Sequence, residues 1–301
     1  MSAKRLPYSP ARVARADVAS RTIHGTQRHT VKNLEFPPIT SVGTEANYRS
    51  SITTFASDLW SKSRVKLRNS VLDDGNEWLD ARKAVVRQKK LDQDRQALSN
   101  KFAVRLPYVK SELPDFVRWR PYSLEQISLL IEGATEGLAL SVVICAVAGL
   151  RSMEVVTIGS MDDHQESQRD WPADRFKGRE DWRRYLVHGK GNLYREIRLP
   201  PCISVALEST RRAEPVQVRS REIEYVSRYH LVGGQRLSQQ FSRLSEKIFG
   251  WSNGVHGLRH SFALGRFYEL RQFGLPEPIA MKILAGELGH FSTANTKGYL
   301  G

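Results

Sequence analysis

The chain has 301 residues, of which 46 are Lys or Arg and 32 are Asp or Glu, a formal net charge of +14 at pH 7. That length accommodates a sizeable core and favours two domains, and the positive excess suits a polyanionic partner, since each Lys or Arg brought to a phosphate releases condensed counterions. Two cysteines, Cys145 and Cys202, encode neither a disulfide framework nor a zinc cluster; with no run long enough to cross a bilayer and no signal-peptide core, a reducing cytoplasmic setting away from membranes is expected.

Residues 1–43 carry Lys4, Arg5, Arg12, Arg15, Arg21, Arg28 and Lys32 against Asp17 and Glu35, with four prolines, and read as a flexible basic arm. From 44 to 112 the pattern turns helical: Tyr48, Ile52, Phe55 and Leu59 recur on one face behind a cap expected at Thr44. This predicts a small helical bundle. Residues 113–120, charged and interrupted by proline, read as a linker, and 121–301 as a second domain. It opens on a helix with capping-box spacing at Ser123 and Gln126. The apolar run at 138–150 predicts a buried helix, 161–184 a polar surface insertion, and 185–200 a hairpin turning at residues 189–192. Residues 235–301 return to helix.

Several residues in the second domain can do chemistry. Arg151 follows the apolar helix, where an unpaired cation is costly to bury, and Glu154 three residues on can hold its guanidinium. His256 and Arg259 share a helix face, so one phosphate can touch both. His290 and Tyr299 close the chain; a phenol attacks phosphorus well only where cations stabilise the charge that develops. Lys190 stands at the hairpin turn, with Lys177 a rival cation in the insertion. Singly, an Arg-Glu pair at a helix end, an H-x-x-R spacing and a turn lysine are ordinary structural features.

Together and in this order, "AGLRSMEV", "GKG", "HGLRH", "LGH" and a tyrosine nine residues later resemble the catalytic domain of the tyrosine recombinase (phage integrase) family. The resemblance implies a mainly α fold with a small antiparallel β-sheet (α+β), a helical N-terminal DNA-binding domain preceding the catalytic one. It implies that Arg151 and Arg259 grip the scissile phosphate with Glu154 buttressing the first, that Lys190 protonates the 5′ leaving oxygen, that His256 moves the tyrosine's proton, that His290 hydrogen-bonds the phosphate, and that Tyr299 attacks to give a 3′-phosphotyrosyl bond. No metal, ATP or other cofactor is implied. The implied partner is double-stranded DNA at a specific recombination site, bound by a dimer and synapsed as a tetramer, in a bacterial, phage or mobile-element setting. The same chemistry in a type IB topoisomerase, and the same fold in a non-catalytic DNA-binding regulator, are the alternatives. Three departures stand out: the Arg259–His290 interval is about two helical turns longer than usual, the 161–184 insertion lengthens the route to the hairpin, and a docking tail is expected beyond Tyr299, which here precedes only Leu300 and Gly301.

Overall fold

The computed structural model describes residues 7–24, 31, 33–114, 120–189, 192–220, 223–290 and 292–300. The chain divides into two compact units, Met1–Phe116 and Val117–Gly301.

The first unit is helical: α1 (Pro10–Ala19), α2 (Val42–Ser63), α3 (Leu72–Arg82) and α4 (Gln88–Phe102). Ser9 caps α1, with Pro10 at its first position, where a missing N–H costs nothing. Ala14 and Val18 of α1 are buried in one core with Ile52, Phe55, Leu79 and Leu98. Part of the expected flexible arm is therefore a packed helix: its two small apolar residues fall one turn apart and face inward, while Arg12 and Arg15 keep to the outside. The α2 stripe is as expected, Ile52 and Phe55 fully buried and Tyr48 and Leu59 packed beside them, each full burial contributing about 1.5–3 kcal/mol. The cap, however, is Ser41, whose Oγ accepts the Thr44 backbone N–H at 3.1 Å, so α2 starts three residues earlier than a cap at Thr44 would place it.

The second unit begins with α5 (Leu124–Glu132), closed by reciprocal bonds between Ser123 and Gln126 at 3.2 and 3.0 Å. The apolar run forms α6 (Glu136–Ala148), ending in Gly149 at φ +61°, and α7 (Ser152–Val156) follows directly. A left-handed residue is needed there, and a Cβ would in addition lie 2.4 Å from the Phe262 ring. Strands β1 (Arg183–Gly189) and β2 (Leu193–Leu199) form the expected antiparallel hairpin, with Tyr185 opposite Ile197. After α8 (Pro201–Glu208) comes a second hairpin, β3 (Arg211–Ser220) with β4 (Ile223–Tyr229), so the small sheet expected is two separate two-stranded sheets. Pro215 sits where the β3 register shifts, between Arg211 and Val216, a place where a strand tolerates proline. Helices α9 (Gly234–Phe249), α10 (His256–Gln272), α11 (Glu277–Glu287) and α12 (Ala294–Lys297) complete the unit. The long Arg259–His290 interval is taken up by α10 running on to Gln272 and α11 restarting behind Pro276.

The core of this unit gathers α6, the first hairpin and α9 around Val142, Cys145, Val187, Ile197 and Phe241, and a second cluster joins α10 and α11 through Phe262, Leu270, Ile283 and Leu284. The segment at 161–182 is irregular but not merely superficial. Phe176 and Arg179 are buried; the Phe176 N–H donates to Glu287 Oε1 at 3.0 Å, and Arg179 to Glu269 Oε2 at 2.6 Å and to the Val147 carbonyl at 3.2 Å. Arg179 thus has its counter-charge on α10, while Arg175 pairs with Glu166 within the segment and Asp163 with Arg228 of β4.

Candidate active site

The site grows from the end of α6. Because Gly149 turns the chain sharply, Leu150 stays in the core and Arg151 emerges with 31 % of its side chain exposed. The Arg151 N–H donates to Glu154 Oε2 at 2.9 Å and its Nη1 to Glu154 Oε1 at 2.6 Å. Glu154 is almost completely buried and serves more than Arg151: Arg195, on β2, donates to Oε2 at 2.8 Å, and Arg259 Nη1 stands 3.7 Å from the same oxygen. Burial opposes ionisation of this carboxyl, but Arg195, Arg259 and Arg151 outweigh it and hold its pKa down to about 2. One carboxylate thus serves three guanidiniums, and the cluster keeps an excess of positive charge.

Arg259, on the first turn of α10, is fully buried. It donates to the carbonyls of Gly149 and Leu288 and, at 3.2 Å, to His290 Nε2. Burial, with Arg151 and Arg195 nearby, lowers its pKa to about 10, with Glu154 opposing, which leaves it charged at neutral pH. Its Nε and that of Arg195 are buried with no hydrogen-bond partner, a rare condition for a buried donor. His290 follows Gly289, just beyond α11, and its Nδ1 lies 2.8 Å from Thr296 Oγ1. With Nε2 accepting from Arg259, Nδ1 carries the proton. Burial and then Arg259, Arg151 and Arg195 push the His290 pKa down to about 3.

Tyr299 closes the cluster. Its hydroxyl is 3.2 Å from His256 Nε2, its ring packs against the α10–α11 apolar cluster, and the Arg259 guanidinium carbon stands 5.8 Å from the ring centre. His256 keeps an exposed edge, yet the enclosure of its ring and then the charges of Arg259, His260, Arg120 and Arg151 lower its pKa to about 4, so it is neutral and can accept a proton. The arrangement puts a phenol against a neutral imidazole beside two guanidiniums.

Arg151, Glu154, His256, Arg259, His290 and Tyr299 are therefore brought together. Lys190 lies outside the described residues. Its neighbour Gly189 abuts the cluster, since a Cβ there would come within 2.8 Å of Glu154 Oε1, and the strand ends flanking the turn are fixed by His188, which stacks on Tyr194 at 4.4 Å and bonds Asn192 at 2.7 Å. The rival, Lys177, has its carbonyl bonded to Arg266, two helical turns along α10 from Arg259.

No family model matches the sequence, and no curated protein matches it either. Solved structures do match in shape. The XerH site-specific recombinase, bound to its palindromic difH substrate in a post-cleavage complex, superposes with a TM-score of 0.58 at 14 % identity, over 97 % of this chain and 90 % of that one. A lambda integrase dimer bound to a COC′ core site gives 0.55 at 16 % identity, over 97 % and 76 %. A lambda integrase tetramer bound to a Holliday junction gives 0.53 at 16 % identity over the same shares. The chain has the tyrosine recombinase fold.

Within that fold, three residues at the site carried no signal in the sequence reading. His260 sits 4.5 Å ring to ring from Tyr299; it stands four residues, one helical turn, after His256, a spacing that could have drawn attention to it. Arg195 is the second partner of Glu154, hidden in a strand where its alternation gave no cue. Arg120, read as linker, lines a cavity beside Arg151. No helix among the described residues is long and apolar enough to cross a membrane, and among them no group of His, Cys, Asp and Glu is arranged to hold a metal ion.

Proposed function

We propose that this protein is a site-specific DNA recombinase that cuts and rejoins duplex DNA through a 3′-phosphotyrosyl intermediate. The observation that carries the reading is the 3.2 Å contact between the Tyr299 hydroxyl and His256 Nε2, made within a cluster whose guanidiniums outnumber their carboxylate.

The scissile phosphate sits between Arg151 and Arg259, where its non-bridging oxygens meet fixed cations as negative charge develops. The buried Arg259 Nε supports this, since a phosphate would give it the acceptor that the protein alone does not. His256 takes the phenol proton, the Tyr299 oxygen attacks phosphorus, and the bond from phosphorus to the 5′ oxygen breaks. Lys190 protonates that oxygen as it leaves; the approach of Gly189 to Glu154 supports this lysine over Lys177. The enzyme then holds a 3′-phosphotyrosyl bond beside a free 5′ hydroxyl. Attack by the 5′ hydroxyl of a second strand reverses the chemistry, joins the strands and returns the proton to Tyr299, with the number of phosphodiester bonds unchanged. His290 joins the phosphate contacts once its Nε2 gains a proton or exchanges tautomers away from Arg259. The guanidiniums supply the charge stabilisation, so the reaction proceeds in EDTA. The helical unit before the catalytic one contributes further contacts to the DNA, and copies of the chain pair on a site and synapse in fours.

The test is covalent capture. The protein is incubated in EDTA with DNA flanking its own gene and denatured in SDS; a protein-DNA adduct is expected for the wild type and none for Tyr299→Phe, whose DNA affinity stays within a few-fold. Equal adduct from Tyr299→Phe removes the tyrosine from the chemistry, and tight binding without any adduct leaves a DNA-binding protein. Joining of two separate sites distinguishes recombination from strand relaxation.

A further inference from the structure

Next to the catalytic cluster, the chain at Leu150–Ser152, α9, and the loop leading into α10 line a partly open cavity of about 450 Å³, of which the reaction outlined above uses only Arg151 and His256. Its lining includes Arg120, Arg151 and His256 together with Ser238, Ser242 and Asn253. Arg259, His290 and Tyr299 are not among its lining residues, so it adjoins the phosphate site at Arg151 without including the rest of it. No Asp or Glu lines it, and the one carboxylate that serves Arg151 is Glu154, behind it. Arg120 stands there as an added cation, with its Nε buried and lacking a hydrogen-bond partner, and its charge reaches both His256 and His260, lowering the pKa of each.

The lining is also built to stay in place. Two residues after Arg120, the Tyr122 N–H donates to Ser261 Oγ at 2.8 Å and the same hydroxyl donates back to the Tyr122 carbonyl at 2.8 Å. The Tyr122 hydroxyl accepts the Asn253 N–H at 2.8 Å, and its ring stacks on Trp251 at 5.5 Å. One tyrosine thereby ties together the Arg120 end of the chain and the Asn253 loop, both of which line this space. A cleft with two guanidiniums, hydroxyls, an amide and no acid is suited to a doubly coordinated anion.

We propose that this cavity is a second phosphate subsite, in which Arg120, with the Ser242 hydroxyl and the Asn253 amide, binds the DNA phosphodiester neighbouring the one held by Arg151 and Arg259. It rests on the DNA-cleaving reading and deepens it. A strand gripped at two successive phosphates cannot rotate about the first, so the bond to the 5′ oxygen is held in line with the Tyr299 oxygen.

The experiment measures binding of Tyr299→Phe protein, which retains the cavity, to a fluorescein-labelled duplex of the DNA flanking its gene over a series of salt concentrations. Adding Arg120→Ala should weaken binding and make the slope of log affinity against log salt shallower by about one, whereas Arg120→Lys should keep the slope. On duplexes carrying one uncharged methylphosphonate at each position in turn, one position should weaken the parent protein and leave Arg120→Ala no weaker than on unmodified DNA. An unchanged salt slope in Arg120→Ala, or a loss at every position that adds to the variant's own, overturns the subsite. Should Arg120→Ala melt early, Ser242→Asp introduces a carboxylate into the cavity lining: a matching loss of affinity supports the subsite, and parental affinity overturns it. The two readings fail separately. Absence of an SDS-resistant adduct with wild-type protein counts against cleavage whatever the salt slope, while an adduct together with an unchanged slope counts against the subsite alone.

Discussion

Glu154 is the residue on which the site's geometry turns. It stands near a helix end as an ordinary partner for Arg151, but in the fold it is also the counter-charge of Arg195 and stands 3.7 Å from Arg259. A buried ion pair adds little to stability when intact, yet removing one partner strands the others in a medium that solvates them poorly. Glu154→Gln should therefore destabilise the protein by about 3–5 kcal/mol, read as a lower urea midpoint with the slope unchanged. A midpoint equal to that of the wild type would mean that water reaches these guanidiniums. The carboxylate also aims Arg151 through two bonds at once, 2.6 and 2.9 Å, so a folded remnant of the variant should retain DNA but cut it slowly.

Among the elements, the junction of α6 and α7 sets the position of Arg151, and Gly149 makes the junction possible. Ala there would need a left-handed backbone and would press its Cβ into the Phe262 ring. Gly149→Ala is expected to lose about 1–3 kcal/mol, with DNA cleavage impaired beyond what the stability change explains, because the Gly149 carbonyl is also an acceptor for Arg259. A melting temperature within a degree of the wild type would refute this. Elements of this kind were readable in the sequence where one local rule sufficed: the Ser123 and Gln126 cap, the α2 stripe through Ile52 and Phe55, the first hairpin around its glycines. They were not readable where tertiary partners decide. Ala14 and Val18 were outvoted by the surrounding basic residues, the charged 161–182 segment gave no hint that Glu269 and Glu287 wait for it on other helices, and β3 carries a proline and too little buried surface to announce a strand. The site residues were legible through their order along the chain, which periodicity does not encode; Arg195, His260 and Arg120 belong to no such order and emerge only in three dimensions.

For the molecule as a whole, the buried cluster predicts how stability follows pH. Glu154 ionises near 2 in the fold against an ordinary value of 4.5, and His290 near 3 against 6.5. Both shifts are downward, so in the window between the two values the unfolded chain binds a proton that the folded one refuses. Stability is then complete above about pH 6.5 and falls as the pH drops, first through His290 and His256, itself lowered to about 4, and below 4.5 through Glu154 as well. Urea midpoints measured from neutral to pH 4 should decline, and His290→Gln should flatten the upper part of that decline. A midpoint that holds steady down to pH 4.5 would contradict the buried, neutral imidazole.

The last residues of the described chain are held by the very groups that would react. Thr296 hangs on His290 and the Tyr299 hydroxyl on His256, the Tyr299 ring lies against that of His260, and the Tyr299 and Leu300 side chains rest on the α10–α11 cluster. The tether of the nucleophile and the machinery that activates it are thus one set of imidazoles. Whatever engages those rings competes with, or reinforces, the anchoring of α12, and the amide hydrogens of residues 296–300 become a clock for the docked state: their exchange with solvent deuterium records how long the phenol remains in place between excursions.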